Sequence, residues 1–192
     1  MTSKEIIQNQ PLIRIATPDD AGRLAALATR TFRDTFAADN STDDMETYVR
    51  DSFSLHQLQA ELVDDANTFW LAFVNGEDQP AGYAKLRSGA ANPSVTGPNP
   101  VELERLYVER SVIGHGVGAA LMQTSLNAAR SAGHGTLWLG VWERNARAIS
   151  FYTKCGFHAV GDHVFMLGAD AQRDVIMERP VPHDFSGRTL QR

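Results

Sequence analysis

Two stretches of this chain carry residue types and spacings suited to chemistry. In the first, Val101-Glu102-Leu103-Glu104-Arg105-Leu106-Tyr107-Val108, two acids stand two positions apart in a largely apolar run. A run of this kind reads as a strand. Side chains two apart on a strand share a face. Glu102, Glu104, Leu106 and Val108 are therefore expected on one side, and Leu103, Arg105 and Tyr107 on the other. Two acids on one face of a buried strand are unusual. A carboxylate so placed can serve as a general base; alternatively, both acids pair with arginines at the sheet edge. In the second stretch, Gly114-His115-Gly116-Val117-Gly118 opens a segment with Val117, Leu121, Met122, Leu126 and Ala129 on one helical face. Glycines let the backbone approach an anion closely, and the free N–H groups of a first helical turn then bind it. No acid lies between Ile113 and Leu121 to oppose a phosphate. Glycines that merely serve a tight helix entry would give the same pattern.

Three phosphate-binding uses of that loop compete. A Walker-type loop needs a lysine and a hydroxyl residue at its end, and Ala119-Ala120 stand there instead. A dinucleotide fingerprint needs repeated βαβ units and an acid about 20 residues on, neither of which is found. An acyl-CoA pyrophosphate loop has neither requirement.

The elements around these stretches follow from periodicity and turn chemistry. Leu12 to Ala16 reads as a strand, and Thr17-Pro18-Asp19-Asp20 as a helix start with Leu24, Leu27 and Ala28 on the apolar face. Phe32 to Leu62 continues as acidic helical pieces. Thr68–Val74 and Ala81–Leu86 are separated by turn residues and form a hairpin. Ser88 to Pro100 is a loop, Gly116 to Ala132 a helix, Thr136 to Trp142 a strand and Asn145 to Lys154 a short helix. His158–Leu167 and Asp174–Glu178 make a second hairpin. The resulting order, β-α-α-β-β-β-α-β-α-β-β, alternates hairpins with crossovers. This requires an α/β (α+β) fold, with a mixed, mostly antiparallel sheet and helices on both faces. Residues 1–182 form a single domain, and 183–192 are expected to fray.

Glu104-Arg105-Leu106-Tyr107-Val108, then Gly114-x-Gly116-x-Gly118-x-x-Leu121-Met122, resembles the acyl-CoA binding core of the GCN5-related N-acetyltransferase (GNAT) family. Asn145-x-x-Ala148-x-x-Phe151-Tyr152-x-x-x-Gly156-Phe157 is similar to that family's second cofactor segment. Gly82-Tyr83-x-Lys85-Leu86, Leu139-Gly140-Val141-Trp142-Glu143-x-Asn145 and Gly161-x-His163-x-Phe165 resemble the bacterial Pai-type spermidine/spermine acetyltransferases within it. The resemblance implies transfer of an acetyl group from acetyl-CoA to a primary amine by direct attack, with no metal. It implies Glu104 as the base, with Glu102 the second candidate, and Tyr152 as the acid that protonates the thiolate. It assigns the cofactor to Leu106, Tyr107, Val108, Ile113, Gly114, His115, Gly116, Val117, Gly118, Ala119, Asn145, Ala148 and Tyr152, with a backbone N–H near Val108 polarising the thioester. Ile113 departs from the family, which carries Arg or Gln there. Ala148, Phe151, Tyr152 and Cys155 also form a helical stripe that could simply pack, and Asn145 could simply cap a helix.

The acids Asp34, Asp39, Asp43, Asp44, Glu46 and Asp51 fall where the family builds its amine pocket, favouring a polyamine; a solvated helical face would look the same. Other acceptors (a protein N-terminus, an amino acid, an aminoglycoside) and a non-catalytic acyl-CoA binding domain remain alternatives. A net charge of −5 disfavours nucleic acid as partner. No run is apolar enough for a membrane span, and the start of the chain does not read as a signal peptide, so a cytoplasmic location is expected. The single cysteine, Cys155, excludes an internal disulfide. His158 and His163 lack metal-ligand company, and the exposed C-terminal strands suit a homodimer.

Overall fold

The computed structural model describes residues 10–90 and 92–182. The tail expected to fray, 183–192, lies outside the described residues. Among the described residues seven strands form one sheet: β1 (Leu12–Ile15), β2 (Asn67–Phe73), β3 (Gly82–Arg87), β4 (Pro100–Val108), β5 (Thr136–Trp142), β6 (His158–Leu167) and β7 (Asp170–Pro180). Their spatial order is β1-β2-β3-β4-β5-β7-β6. Only β4 and β5 pair in parallel; the other neighbours are antiparallel. The helices are α1 (Ala21–Phe36), α2 (Thr42–Phe53), α3 (Leu55–Val63), α4 (Val117–Ser131) and α5 (Ala146–Lys154). No described helix is long and apolar enough to cross a membrane.

Three helices precede β2, where the sequence pattern suggested two. Ser54 makes the difference. Its extended backbone ends α2, and its side chain accepts the Gln57 N–H to start α3 at once. At the other end of this region Asp20 holds the chain entry. It is almost fully buried, receives two 2.7 Å hydrogen bonds from Arg14, and accepts the Thr17 N–H. The hydrogen bonds from Arg14 hold its carboxyl well below the usual range.

The sheet separates two cores. Helices α1–α3 pack Leu24, Leu27, Phe32, Phe53 and Leu58 against Phe69, Leu71 and Tyr83 on one face. On the other, α4 and α5 pack Leu121, Met122, Leu126 and Tyr152 against Val101, Leu103, Leu137 and Leu139.

Strand β4 does not alternate as a regular strand would. Lys85 pairs with Arg105, but Leu86 pairs with Leu103, so Glu104 is an extra, bulged residue. This corrects the expected faces. Val101, Leu103, Leu106 and Val108 join the α4 core, while Tyr107 joins the α1–α3 core. Arg105 points to the α1–α3 side as well, bonding Glu61 of α3 and lying over the Phe53 ring. Glu104 thus shares its face with Arg105 rather than with Leu106 and Val108.

On that face the bulge gathers three acids and three bases. Lys85 Nζ lies 3.0 Å from Glu61 Oε2 and 3.0 Å from Glu104 Oε1. Arg105 reaches Glu61 at 2.8 Å and Glu104 at 3.3 Å, and Arg87 holds Glu102 at 2.6 Å. Burial pushes the Glu61 carboxyl up, but the Arg105 and Lys85 cations outweigh it and hold it below its ordinary value. Breaking one member strands its partners in a low-dielectric site. Lys85→Met should therefore lower stability to chemical denaturation by about 3–5 kcal/mol. Adding Glu61→Gln to that variant should restore at least about 1 kcal/mol, because charge balance returns.

Candidate active site

Strands β4 and β5 pair only from Pro100–Thr136 to Glu102–Trp138. Beyond Glu102 they diverge and leave a slit. The Glu109 N–H donates to Ala81 O at 2.8 Å, toward β3. The Tyr107 carbonyl also faces β3, since a Cβ on Gly82 would lie 3.0 Å from its oxygen. Backbone polar groups alternate sides along a strand. The N–H and C=O of Leu106 and Val108 therefore point into the slit, without a strand partner.

Two cavities meet at this slit. The rear one, about 350 Å³, lies between Leu106–Val108, the glycine loop and α5. Of the loop residues, Ile113, Gly114, Gly116, Gly118 and Ala119 line it. His115 is exposed and does not line it, and the Val117 side chain is buried in the core. Gly114 and Gly116 have φ of 87° and 84°, a left-handed backbone that favours glycine. This conformation delivers the chain into α4 with the N–H groups of Val117, Gly118 and Ala119 free of intrahelical acceptors. Ile113 brings no polar side chain. The cavity's cation comes instead from Arg147 on α5, which the sequence reading passed over.

Asn145 caps α5, accepting the Ala148 N–H at 3.1 Å, and also lines both cavities. Its structural and site roles coexist. Tyr152 does the same: it packs edge-on to Phe151 and Phe157 and still lines both cavities. Burial raises its phenol, so it stays protonated at neutral pH.

The front cavity, about 320 Å³, opens on the α1–α3 side. Its charged wall is Arg87, Glu102, Glu104 and Arg105. Its roof is aromatic, from Phe32, Phe36, Tyr48 and Phe53, and its far wall holds Trp142, His163 and Asp174. The acids of α1 and α2 do not line it. Asp34, Asp43, Glu46 and Asp51 are exposed, as is Asp39 in the turn between the helices, and Asp44 accepts the Ser41 hydroxyl and the Ala169 N–H. These helices are amphipathic and turn their aromatic stripe inward, so the cavity's carboxylates come from strands instead.

The arginine pairing considered for Glu102 and Glu104 is present. Burial pushes the Glu102 carboxyl up even though Arg87 binds it. Glu104 Oε2 lies 3.0 Å from Arg87 Nε, but that N–H is given to Glu102 at 2.9 Å. Glu104 Oε2 is thus buried and accepts no hydrogen bond. Its neighbour there is the Arg87 guanidinium, as an ion pair.

A family model described as "Acetyltransferase (GNAT) family" matches residues 27–157. The chain belongs to this family. It is 33% identical, over 93% of its length and 98% of the relative's, to an uncharacterised N-acetyltransferase encoded in the pepI 3′ region of Lactobacillus delbrueckii subsp. lactis. It is 30% identical to the streptothricin acetyltransferase of Streptomyces lavendulae, over 62% of this chain and 61% of that one. Among solved structures, the PaiA N-acetyltransferase of Thermoplasma acidophilum, in complex with coenzyme A, superposes with a TM-score of 0.70. That likeness covers 89% of this chain and 99% of that one at 24% identity, and speaks for the fold. As a GNAT protein the chain is an acyltransferase of the N-acetyltransferase type.

All four tyrosines carry phenols raised by burial: Tyr48, Tyr83, Tyr107 and Tyr152. Such groups cost nothing while protonated in both states, and stability falls as pH rises past the unfolded value near 10. A spectrophotometric titration should therefore show phenolate absorbance appearing together with loss of near-UV dichroism, above about pH 10. Four phenols ionising near pH 10 in a still-folded protein would contradict the burial described here.

Proposed function

We propose that the protein transfers the acetyl group of acetyl-CoA to a primary amine by direct attack in a ternary complex. The observation that carries this is the junction of the two cavities. Leu106 and Tyr152 line both cavities there, with the Val108 backbone on the rear side and Glu104 on the front side. The coenzyme A complex of the PaiA neighbour supports acetyl-CoA as the co-substrate, and the rear cavity, bordered by the glycine loop, is the seat this reading gives it. The pantetheine arm would fill the slit as a strand would, taking the backbone groups that β5 leaves. The pyrophosphate would sit on the N–H groups at the start of α4, with Arg147 supplying charge in place of the family's residue at Ile113.

In this reading the Val108 N–H polarises the thioester carbonyl. Glu104, at the end of the front cavity's charged wall, takes a proton of the amine as the N–C bond forms, with Glu102 the second candidate. The leaving thiolate has an ordinary pKa of about 8.5. A phenol raised above its usual value gives up its proton to such a group reluctantly. Tyr152 therefore works first as a hydrogen-bond donor to the sulfur, and its proton crosses as a replacement arrives. Much of the rate comes from holding amine and thioester together.

The acceptors favoured are polyamines such as spermidine and spermine. Several aromatic rings line the front cavity, and Asp174 adds a carboxylate with no Arg or Lys partner among the described residues, a setting that suits alkylammonium groups. The exposed edge of β6, with Val164 and Met166, supports a homodimer.

A free-thiol assay with acetyl-CoA against spermidine, spermine, amino acids, aminoglycosides and N-terminal peptides tests the reading. Glu104→Gln should lower kcat by about 10²- to 10⁴-fold. Tyr152→Phe should lower kcat by about tenfold or more while the KM for acetyl-CoA changes little. Unchanged thiol release in both variants would refute these roles, and no turnover with any amine would leave an acyl-CoA binding domain.

A further inference from the structure

Converting an ammonium to an amide removes two protons from nitrogen. One ends on the coenzyme A thiol, and the other has to leave the site. Glu104 can serve one of these transfers, but it sits among Lys85, Arg87 and Arg105 and opens only on the front cavity. A second proton acceptor with a way out is needed.

His163 meets both requirements. It lines the front cavity and also an outer cavity of about 460 Å³, bordered by Ser88, Asn92 and Trp138. Its side chain is 38% exposed, whereas that of Asp174 behind it is 13% exposed, with Nε2 and Oδ2 3.7 Å apart. Among the described residues, Asp174 is the one carboxylate lining the front cavity that has no Arg or Lys partner. Beneath the pair β5 carries Gly140, where a Cβ would come within 3.4 Å of both groups. Asp174 stands opposite Trp142 in the β5–β7 ladder, four residues past the last β4–β5 pair, beside the open part of the slit. The charged groups facing His163 are Asp174 from β7 and, across the outer cavity, Arg87 from β3 and Glu102 from β4. Trp138 of β5 and Ser88, Gly89, Ala90 and Asn92 add no charge.

We propose that His163, oriented by Asp174, takes the first proton from the bound ammonium and releases it to solvent through the outer cavity. The proposal rests on the acetyl-transfer reading. The neutral amine then attacks the thioester carbon, the N–C bond forms and the C–S bond breaks. The second N–H proton passes to Glu104 and replaces the one that Tyr152 gives the thiolate. The sum is ammonium plus acetyl-CoA going to acetamide, coenzyme A thiol and one proton in solution. Asp174 is a positioning residue in this scheme.

The test is the pH dependence of kcat/KM for the amine, read by thiol release from pH 6 to 10. A neutral base is required, so wild-type activity falls as pH falls. In His163→Gln only amine already free of its proton can react. Its acidic limb should move up by about one pH unit or more, and its rate should approach wild type where the amine is largely unprotonated. In His163→Ala, imidazole added at pH 7 should restore at least about fivefold of the lost rate through the outer cavity. Three results would each overturn the proposal: an equal loss at every pH, a limb that stays in place, or no rescue by imidazole. Absence of thiol release by the wild-type enzyme with every amine would sink the acetyl-transfer reading itself, and this one with it.

Discussion

β4 and β5 share three residue pairs and then part, while each stays fixed to its neighbour on the other side. β5 pairs with β7 along its whole length, from Thr136–Pro180 to Trp142–Asp174, and β4 pairs with β3 as far as Val108. Neither strand can turn to close the gap without giving up a longer ladder. Open backbone groups in a sheet interior are costly unless something binds them. The divergence therefore makes a space that an extended, amide-bearing ligand completes, and each feature of the site takes its place from it. The glycine loop and α5 border its rear, the aromatic helices α1 and α2 roof its front, and Tyr152 stands where the two sides join.

Electrostatics on the front side follow from the bulge at Glu104. The extra residue turns Glu104 and Arg105 to the same face and assembles the cluster with Glu61, Lys85, Arg87 and Glu102. Attraction among these groups offsets the cost of burying them, which it does only because acids and bases alternate around the cluster. What is left over is specific: one Glu104 oxygen without a hydrogen bond, and a separate Asp174–His163 pair on the opposite wall. The cavity is thus close to charge-balanced along β4 and keeps its uncommitted carboxylate on β7.

Much of the fold was legible because its signals are local. The turn between Val74 and Ala81, the stripe from Val117 to Ala129 and the left-handed glycines at 114 and 116 each depend on neighbours in sequence. Of the candidate cofactor residues, all but His115 and Val117 line one cavity. What stayed hidden depends on register between distant segments. Nothing in Glu102-Leu103-Glu104-Arg105 marks which residue bulges, because the bulge exists only against Lys85 and Leu86. The acids between Asp34 and Asp51 suit a pocket and a solvated face equally in sequence, because composition does not say which way a helix faces. His163 gained its partner from Asp174 across a hairpin and its room from Gly140, and no stretch of sequence holds all three.

A crystal structure of the protein with coenzyme A tests the central claim most directly. The pantetheine arm should lie between β4 and β5 with hydrogen bonds to the Leu106 and Val108 backbone, the sulfur beside Tyr152, and the pyrophosphate at Gly116–Ala119. Coenzyme A bound elsewhere, or β4 and β5 paired beyond Glu102 and Trp138, would contradict it.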